Sequence, residues 1–262
     1  MATLFLIKLV VAVIVVVGLS IIAEHGSPRL AGLLSGYPTG SAITLFFFGL
    51  ELSPQFAAQS AVYNMIGMVA MQVLIYAYYK ASCKHGIIAS SLVAVSSYFV
   101  AIWILHFIRL NMFIAATIPA ASIIVFLWLF RPIQNAVIQK RIPLRYPVLF
   151  LRALFAACII LLVTGMAKLV GPTWSGLFSS FPTTLFPLML IVHFTYDTQH
   201  VHTIIKNVPV GLLSLVLYSM SVAIVYPLYG VYWGTLMSFG VATAYLLLYQ
   251  VLRQTAMSFL RT

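Results

Sequence analysis

The sequence predicts an all-α polytopic membrane protein, with about nine transmembrane helices in two inverted four-helix repeats joined by a linker helix. Three observations predict this class: a composition poor in charge, a motif that occurs twice, and the placement of the basic residues. Of the 262 residues, 63% are hydrophobic and 6% are charged. Because water-soluble domains carry about a quarter charged residues, lipid is expected to be the solvent for most of the surface.

Apolar segments account for most of the chain, and each is near the length of about twenty residues that a bilayer requires. The segments run over residues 3–23, 30–50, 56–79, 86–108, 111–130, 146–168, 174–196, 208–227 and 229–252. No basic stretch precedes the first segment, so we expect it to be retained rather than cleaved as a signal. The predicted parts are a first membrane repeat at 1–110, a linker helix with a basic cytoplasmic loop at 111–145, and a second, inverted repeat at 146–262.

A motif at residues 27–39 recurs at residues 171–183. Six of the twelve positions from 28 to 39 are identical to the residue 144 positions downstream, where composition alone gives roughly one identity. The matched pairs with distinctive side chains are Ser35 and Ser179, Tyr37 and Phe181, Pro38 and Pro182, and Thr39 and Thr183. The chain is therefore predicted to contain two copies of one unit.

The lysine and arginine residues set the predicted orientation. If the loop at 131–145 is cytoplasmic, eleven of the fourteen lie inside and three, Lys8, Arg109 and Lys168, lie outside. The N-terminus is therefore predicted outside and the C-terminus in the cytoplasm. Because one linker helix at 111–130 separates the repeats, the second repeat is predicted to be inverted about a pseudo-two-fold axis in the membrane plane. If this segment did not span, the repeats would be parallel.

The repeated proline is the centre of the predicted site. Pro38 lies about nine residues into its segment, or roughly 13 Å at helical rise, which is close to the middle of a bilayer. Proline removes a backbone donor, so each helix is expected to be kinked or broken there and to present a half-helix N-terminus. Two such breaks would suit an anionic or carboxylate-bearing group. The predicted substrate-binding residues are Ser35, Tyr37, Pro38, Thr39, Ser179, Phe181, Pro182 and Thr183. The alternative is a pair of kinked helices that pack through small residues.

Four titratable residues are candidates for proton coupling or gating: Glu51, His193, Asp197 and His200. Glu51 closes the second segment and is otherwise an ordinary interfacial carboxylate. The last three are spaced i, i+4 and i+7, so on a helix they share one face. This stripe could pass protons or bind a transition metal, or it could be a hydrogen-bonded network in a cytoplasmic loop. We predict no metal site.

Motifs of soluble enzymes are missing from the sequence, which has no P-loop, nucleophile elbow, paired metalloprotease histidines or dinucleotide fingerprint. Ser179 and His193 could form a nucleophile–base pair, but they are about 21 Å apart along a straight helix. We therefore predict no enzyme and no cofactor. The isolated basic residues in short loops indicate contact with membrane lipids rather than nucleic acid, and the expected partner is a small-molecule substrate.

The first copy of the motif, Leu33-Leu34-Ser35-Gly36-Tyr37-Pro38-Thr39 with the apolar run to Glu51, resembles a known family. It is similar to GlpM-type inner-membrane proteins, which have about four helices and carry an "AGLL…FPT" segment at this place. The resemblance implies a fused, duplicated unit in the bacterial inner membrane. It extends more distantly to the drug/metabolite transporters and to small multidrug transporters that assemble as antiparallel dimers, which also suggests a homodimer. The small multidrug transporters carry a central glutamate in their first helix, where this chain has Ile14 and Val15.

Three functions are compatible with these features. The first is a secondary transporter or exporter of small neutral or anionic metabolites that works by alternating access between inverted repeats. The second is a flippase for a lipid or a lipid-linked phosphate. The third is a membrane scaffold or accessory subunit of a biosynthetic complex, in which the repeated breaks would be packed and dry.

Overall fold

The computed structural model describes residues 6–11, 13–15, 17–18, 37–108, 110–134, 146–195 and 198–259. Within these ranges the chain is all-helical and has no strand. The helices are α1 (Leu6–Val15), α2 (Thr39–Glu51), α3 (Pro54–Ser82), α4 (Ile87–His106), α5 (Met112–Leu129), α6 (Tyr146–Ser179), α7 (Leu185–Thr195) and α8 (Thr198–Phe259).

Five of the described helices, α3 to α6 and α8, are long and apolar enough to cross a membrane by length and composition. The helices α4 and α5 lie at the periphery and leave large apolar side chains exposed, such as Ile88, Trp103, Phe113 and Trp128. Exposure of so much apolar surface to water is unfavourable, whereas lipid solvates such a surface. The chain is therefore a helical membrane protein.

Glycine and proline interrupt the two longest helices. Gly171 has φ 76° and is followed by Pro172, and Gly230 has φ 77° and follows Pro227 by three residues. Both glycines adopt a left-handed region that other residues avoid, so the helix axis changes direction there. The predicted boundary between segments 208–227 and 229–252 lies two residues before the interruption at Gly230.

Two predicted segment boundaries differ from the structure. The predicted segment 174–196 is divided, because α6 ends at Ser179 and α7 begins at Leu185. The predicted segment 208–227 begins ten residues earlier, at Thr198. The polar residues in that first part have protein partners, such as Ser82 Oγ at 2.9 Å from His202 Nε2, and so they can remain within the helix.

The spacing of 144 residues recurs in the helix boundaries. Adding 144 to Pro54, where α3 begins, gives Thr198, where α8 begins. Adding it to Gly86, the N-cap of α4, gives Gly230, where α8 is interrupted. Adding it to Thr39, where α2 begins, gives a residue two positions before α7. The helix pattern thus repeats well beyond the twelve-residue motif.

The helix α3 and the first segment of α8 run in opposite directions. Asn64, near the start of α3, contacts Ser219, and Ser82, at its end, contacts His202. As residue numbers rise along α3 they fall along α8, so α3 packs antiparallel to the first segment of α8. By contrast, α5 runs parallel to α3, because Gln72 bonds Ser122 and Tyr79 packs on Phe130 further along.

Candidate functional site at the paired helix breaks

Each of the two repeated prolines lies at the centre of its own tight turn, and the two turns are of the same kind. The Thr39 N–H donates to Tyr37 O at 2.7 Å, and the Thr183 N–H donates to Phe181 O at 2.7 Å. Pro38 has φ −73° and ψ 62°, the conformation of an inverse γ-turn. Proline favours this turn because its ring fixes φ and it has no N–H to bond in a helix. A helix follows each turn, since α2 begins at Thr39 and α7 begins at Leu185.

The two breaks touch each other. Thr39 Oγ1 lies 3.4 Å from Thr184 Oγ1, and any Cβ added to Gly40 would clash with the Thr183 hydroxyl. The residue 144 positions after Thr39 is Thr183, and the residue 144 positions after Gly40 is Thr184. The two contacts are thus one contact made twice, with the copies exchanged. Isologous contacts of this kind are typical of a two-fold interface.

Glycine permits the close packing around the second break. A Cβ at Gly176 would collide with the Ser60 carbonyl oxygen of α3, and a Cβ at Gly67 would collide with the Ser180 hydroxyl. Gly176 belongs to the repeated motif. The close approach of the α6 backbone to the α3 backbone, rather than an unusual φ, explains why this position is a glycine.

Asn64 connects the two breaks through hydrogen bonds. Its side chain is fully buried, and Nδ2 donates to Ser41 Oγ at 3.1 Å and to Ser179 Oγ at 2.7 Å. Its Oδ1 accepts from Ser219 Oγ at 2.8 Å, and Ser41 Oγ donates to Ser179 O at 2.9 Å. One amide thereby joins α2, α6 and α8 to α3. Buried polar groups need such partners, because an unpaired one costs about 1–3 kcal/mol.

The end of α6 has its free carbonyl groups satisfied by side chains. Tyr98 OH donates to Leu177 O at 2.7 Å and lies 3.1 Å from Ser180 Oγ, while Ser179 Oγ donates to Gly176 O. In contrast to the end of α6, the starts of α2 and α7 have no side chain that compensates the helix dipole by charge, because neither helix has an acidic residue in its first turn. The converging N-termini thus retain a positive dipole without a carboxylate in that turn, and they can attract an anion or a hydrogen-bond acceptor.

The structure brings most of the predicted substrate-binding residues to these breaks. Pro38, Thr39, Ser179, Pro182 and Thr183 are buried there.

The aromatic members of the predicted set pack on different helices, since Tyr37 stacks on Phe239 of α8 at 5.8 Å and Phe181 meets Tyr98 of α4 edge-on at 5.1 Å. Ser35 lies outside the described residues.

Glu51 lies far from the breaks, at the other end of α2, about 18 Å away at helical rise. Its Oε1 and Oε2 lie 2.6 and 2.8 Å from Lys8 Nζ, which also donates to Thr164 Oγ1 at 2.9 Å. Lys8, which the sequence predicts on the outer side of the membrane, is buried. The signal for this pair was a single lysine in an otherwise apolar helix, since ionisable groups in such helices are usually paired.

The predicted histidine stripe extends over the end of α7 and the start of α8. His193 lies in the last turn of α7 and His200 in the first turn of α8, and residues 196–197 between them lie outside the described part of the chain, so the shared helical face stays a prediction. His193 Nδ1 lies 2.7 Å from Tyr78 OH on α3. Asp197 lies outside the described residues. In the part of the chain that the structure describes, no three His, Cys, Asp or Glu side chains are grouped to hold a metal ion.

Sequence reasoning missed the polar residues outside the motif that connect the breaks: Ser41, Asn64, Tyr98 and Ser219. The available signal was weak, because each is a single polar residue in an apolar segment, and such residues are common between packed helices.

No protein-family model, curated protein or solved structure matches this chain. The resemblance to GlpM-type proteins therefore stays a prediction, and the site must be interpreted from its own geometry.

Proposed function

We propose that this chain is a secondary transporter of small neutral or anionic metabolites, working by alternating access between two inverted repeats. The substrate site is proposed at the paired breaks. The observation that carries this proposal is the exchanged contact at the breaks, Thr39 with Thr184 and Gly40 with Thr183. Many transporters place their site at such an interface, between discontinuous helices of two repeats.

The direction of the helices supports an inverted relation between the repeats. A two-fold axis along the membrane normal would set equivalent helices parallel, whereas an axis in the membrane plane sets them antiparallel. The contacts of Asn64 with Ser219 and of Ser82 with His202 set α3 antiparallel to its counterpart in α8. Nine membrane-spanning segments with the linker helix α5 between the repeats would satisfy this relation.

The chemistry of the breaks supports a neutral or anionic substrate. Hydroxyl groups of Thr39, Thr183 and Ser179 and the amide of Asn64 converge with two helix N-termini. No carboxylate among the described residues contacts them, since Glu51 is paired with Lys8. A cation would meet two positive dipole ends without a counter-charge, whereas a carboxylate would be stabilised by them.

The packing of the breaks also supports a second candidate, a scaffold that transports nothing. Thr39 and Thr183 are buried, and the hydroxyls of Ser41 and Ser179 are already bonded. A transporter must separate these surfaces to admit a substrate, and a glycine-to-hydroxyl contact without interlocking large side chains allows that. A scaffold has no reason to separate them.

Cysteine accessibility distinguishes the two candidates. In a variant with Cys83 and Cys158 replaced by serine, single cysteines at Thr39 and Thr183 are labelled in cells with a membrane-impermeant thiol reagent. Transport predicts that both react, because the breaks become wet as the protein changes state. The control is Ala94→Cys, fully buried between helices, which should not react. If Thr39→Cys and Thr183→Cys are as inert as this control, the breaks are permanently packed and the scaffold is favoured.

A further inference from the structure

Three helix termini meet at one end of the bundle, away from the breaks. The end of α3 packs on the end of α5, with Phe130 at 6.1 Å from Tyr76 and 6.3 Å from Tyr79 between ring centroids. The first turns of α8 join them, because the Lys206 ammonium donates to the Ile133 carbonyl just after α5. These contacts fix the three termini together.

Each of these termini carries a cation. Lys80 Nζ lies 5.5 Å from the ring centroids of both Tyr76 and Tyr79, which holds the ammonium over the aromatic surface. Arg131 follows Phe130 directly and is exposed, whereas Lys206 is half-buried. We call the surface formed by Lys80, Arg131 and Lys206 the basic rim.

The basic rim has no carboxylate against it in the described part of the chain. Of the three acidic residues in the sequence, the structure describes Glu51, and that carboxylate is paired with Lys8. A half-buried ammonium such as Lys206 loses hydration, and one carbonyl oxygen does not neutralise its charge. The rim is thus a positively charged surface that complements an anion.

The surface next to the basic rim indicates which class of anion the rim binds. One turn before Arg131, the outer face of α5 exposes Trp128, and further apolar side chains follow along the helix at Val125 and Ile124. An anion with a long apolar tail could place its charged group on the rim and its chain along this face. A soluble anion would gain nothing from that face, since it has no apolar part to bury.

We propose that the basic rim binds the phosphate headgroup of an anionic phospholipid, with an acyl chain lying along α5. Clusters of lysine and arginine at the ends of membrane helices attract such headgroups, and each charge strengthens binding. The tyrosine rings hold Lys80 over their faces, so this part of the site is formed before lipid binds. This site does not depend on the proposed transport function, because a scaffold could bind lipid in the same way.

Lipid titration of the purified full chain in detergent tests this site. Phosphatidylglycerol is added, the unfolding temperature is followed, and an apparent Kd is derived. The variant Lys80→Gln with Arg131→Gln is compared with the control Lys168→Gln, which removes an exposed lysine from α6. At about fivefold per charge, the double variant should bind phosphatidylglycerol about 25-fold more weakly, and the control should match the wild type. Each single variant should show about a fivefold loss, which keeps the test usable if the double variant does not fold.

Two further additions identify the source of the anion. Phosphatidylcholine, which has the same chains but no net charge, should stabilise the wild type much less than phosphatidylglycerol does. Inorganic phosphate at matched concentration should also have little effect. Equal stabilisation by phosphatidylcholine, equal stabilisation by inorganic phosphate, or an unchanged Kd in the rim variants would each overturn the proposal.

Discussion

The ends of α2 and α7 that lie away from the breaks differ, although the breaks themselves are alike. At equivalent positions 144 residues apart, α2 carries Gly49 and Glu51 where α7 carries His193 and Thr195. Glu51 forms an ion pair with Lys8, whereas His193 contacts Tyr78. The two halves thus share the proline turn at the breaks and differ in chemistry at the outer ends of α2 and α7. If the protein alternates between two open states, the Glu51 end of α2 would separate from Lys8, and the His193 end of α7 from Tyr78, under different conditions.

The largest expected effect is at the charged end. Glu51→Ala leaves the buried Lys8 ammonium without its counter-charge, and this should lower the free energy of unfolding by about 3–5 kcal/mol. Thr195→Ala, at the equivalent position of α7, removes no charge and should cost less than about 1 kcal/mol. Denaturant titration of the purified variants measures both.

A compensated variant sharpens this test. Lys8→Met combined with Glu51→Leu removes both charges and keeps apolar volume, so most of the lost stability should return. If Glu51→Ala is no more destabilising than Thr195→Ala, the ion pair does not hold this end together.

The next effect is at the glycine contact of the second break. Gly176→Ala places a Cβ against the Ser60 carbonyl oxygen, so α6 and α3 must move apart, at a cost of about 1–3 kcal/mol. Gly165 lies on the same helix with open space around it, and Gly165→Ala should be neutral or stabilising by about 0.5–1 kcal/mol. Similar melting temperatures for the two variants would contradict the close approach.

A smaller effect is expected from the amide that connects the breaks. Asn64→Ala removes the partner of Ser41, Ser179 and Ser219 and should cost about 1–2 kcal/mol, because buried hydroxyls lose hydrogen bonds. The control Asn207→Ala removes an amide whose hydrogen bond, among the described residues, stays within its own helix at Thr203 O, and it should cost less. Equal losses would mean that the Asn64 amide does not bridge the halves.

The smallest effect is at the histidine end. Tyr78→Phe removes the hydroxyl that lies 2.7 Å from His193 Nδ1 and should cost about 0.5–1.5 kcal/mol. In a double-mutant cycle with His193→Phe, the losses should be less than additive, because both substitutions remove the same hydrogen bond. Strict additivity would show that the two side chains are not coupled.

Local backbone features were predictable from sequence, and long-range partners were not. The breaks at Pro182 and Gly230 follow from the chemistry of single residues, since proline lacks a donor and glycine tolerates positive φ. Asn64 and Ser219 are 155 residues apart, and only the packing of α3 on α8 makes them partners. Hydropathy also misplaced the start of α8. A polar residue such as His202 indicates a loop when only the sequence is considered, and its hydrogen-bond partner Ser82 is evident only in the structure.

The relation between the two halves can be tested directly with one equivalent pair of positions. Gln55 and Gln199 are the second residues of α3 and α8, are 144 positions apart and are both exposed. Each is replaced by cysteine in the variant without native cysteines, and intact cells are treated with a membrane-impermeant thiol reagent. Inverted repeats predict that Gln55→Cys reacts from outside and that Gln199→Cys reacts only after the cells are opened. Reaction of both positions from the same side would show that the repeats are not inverted.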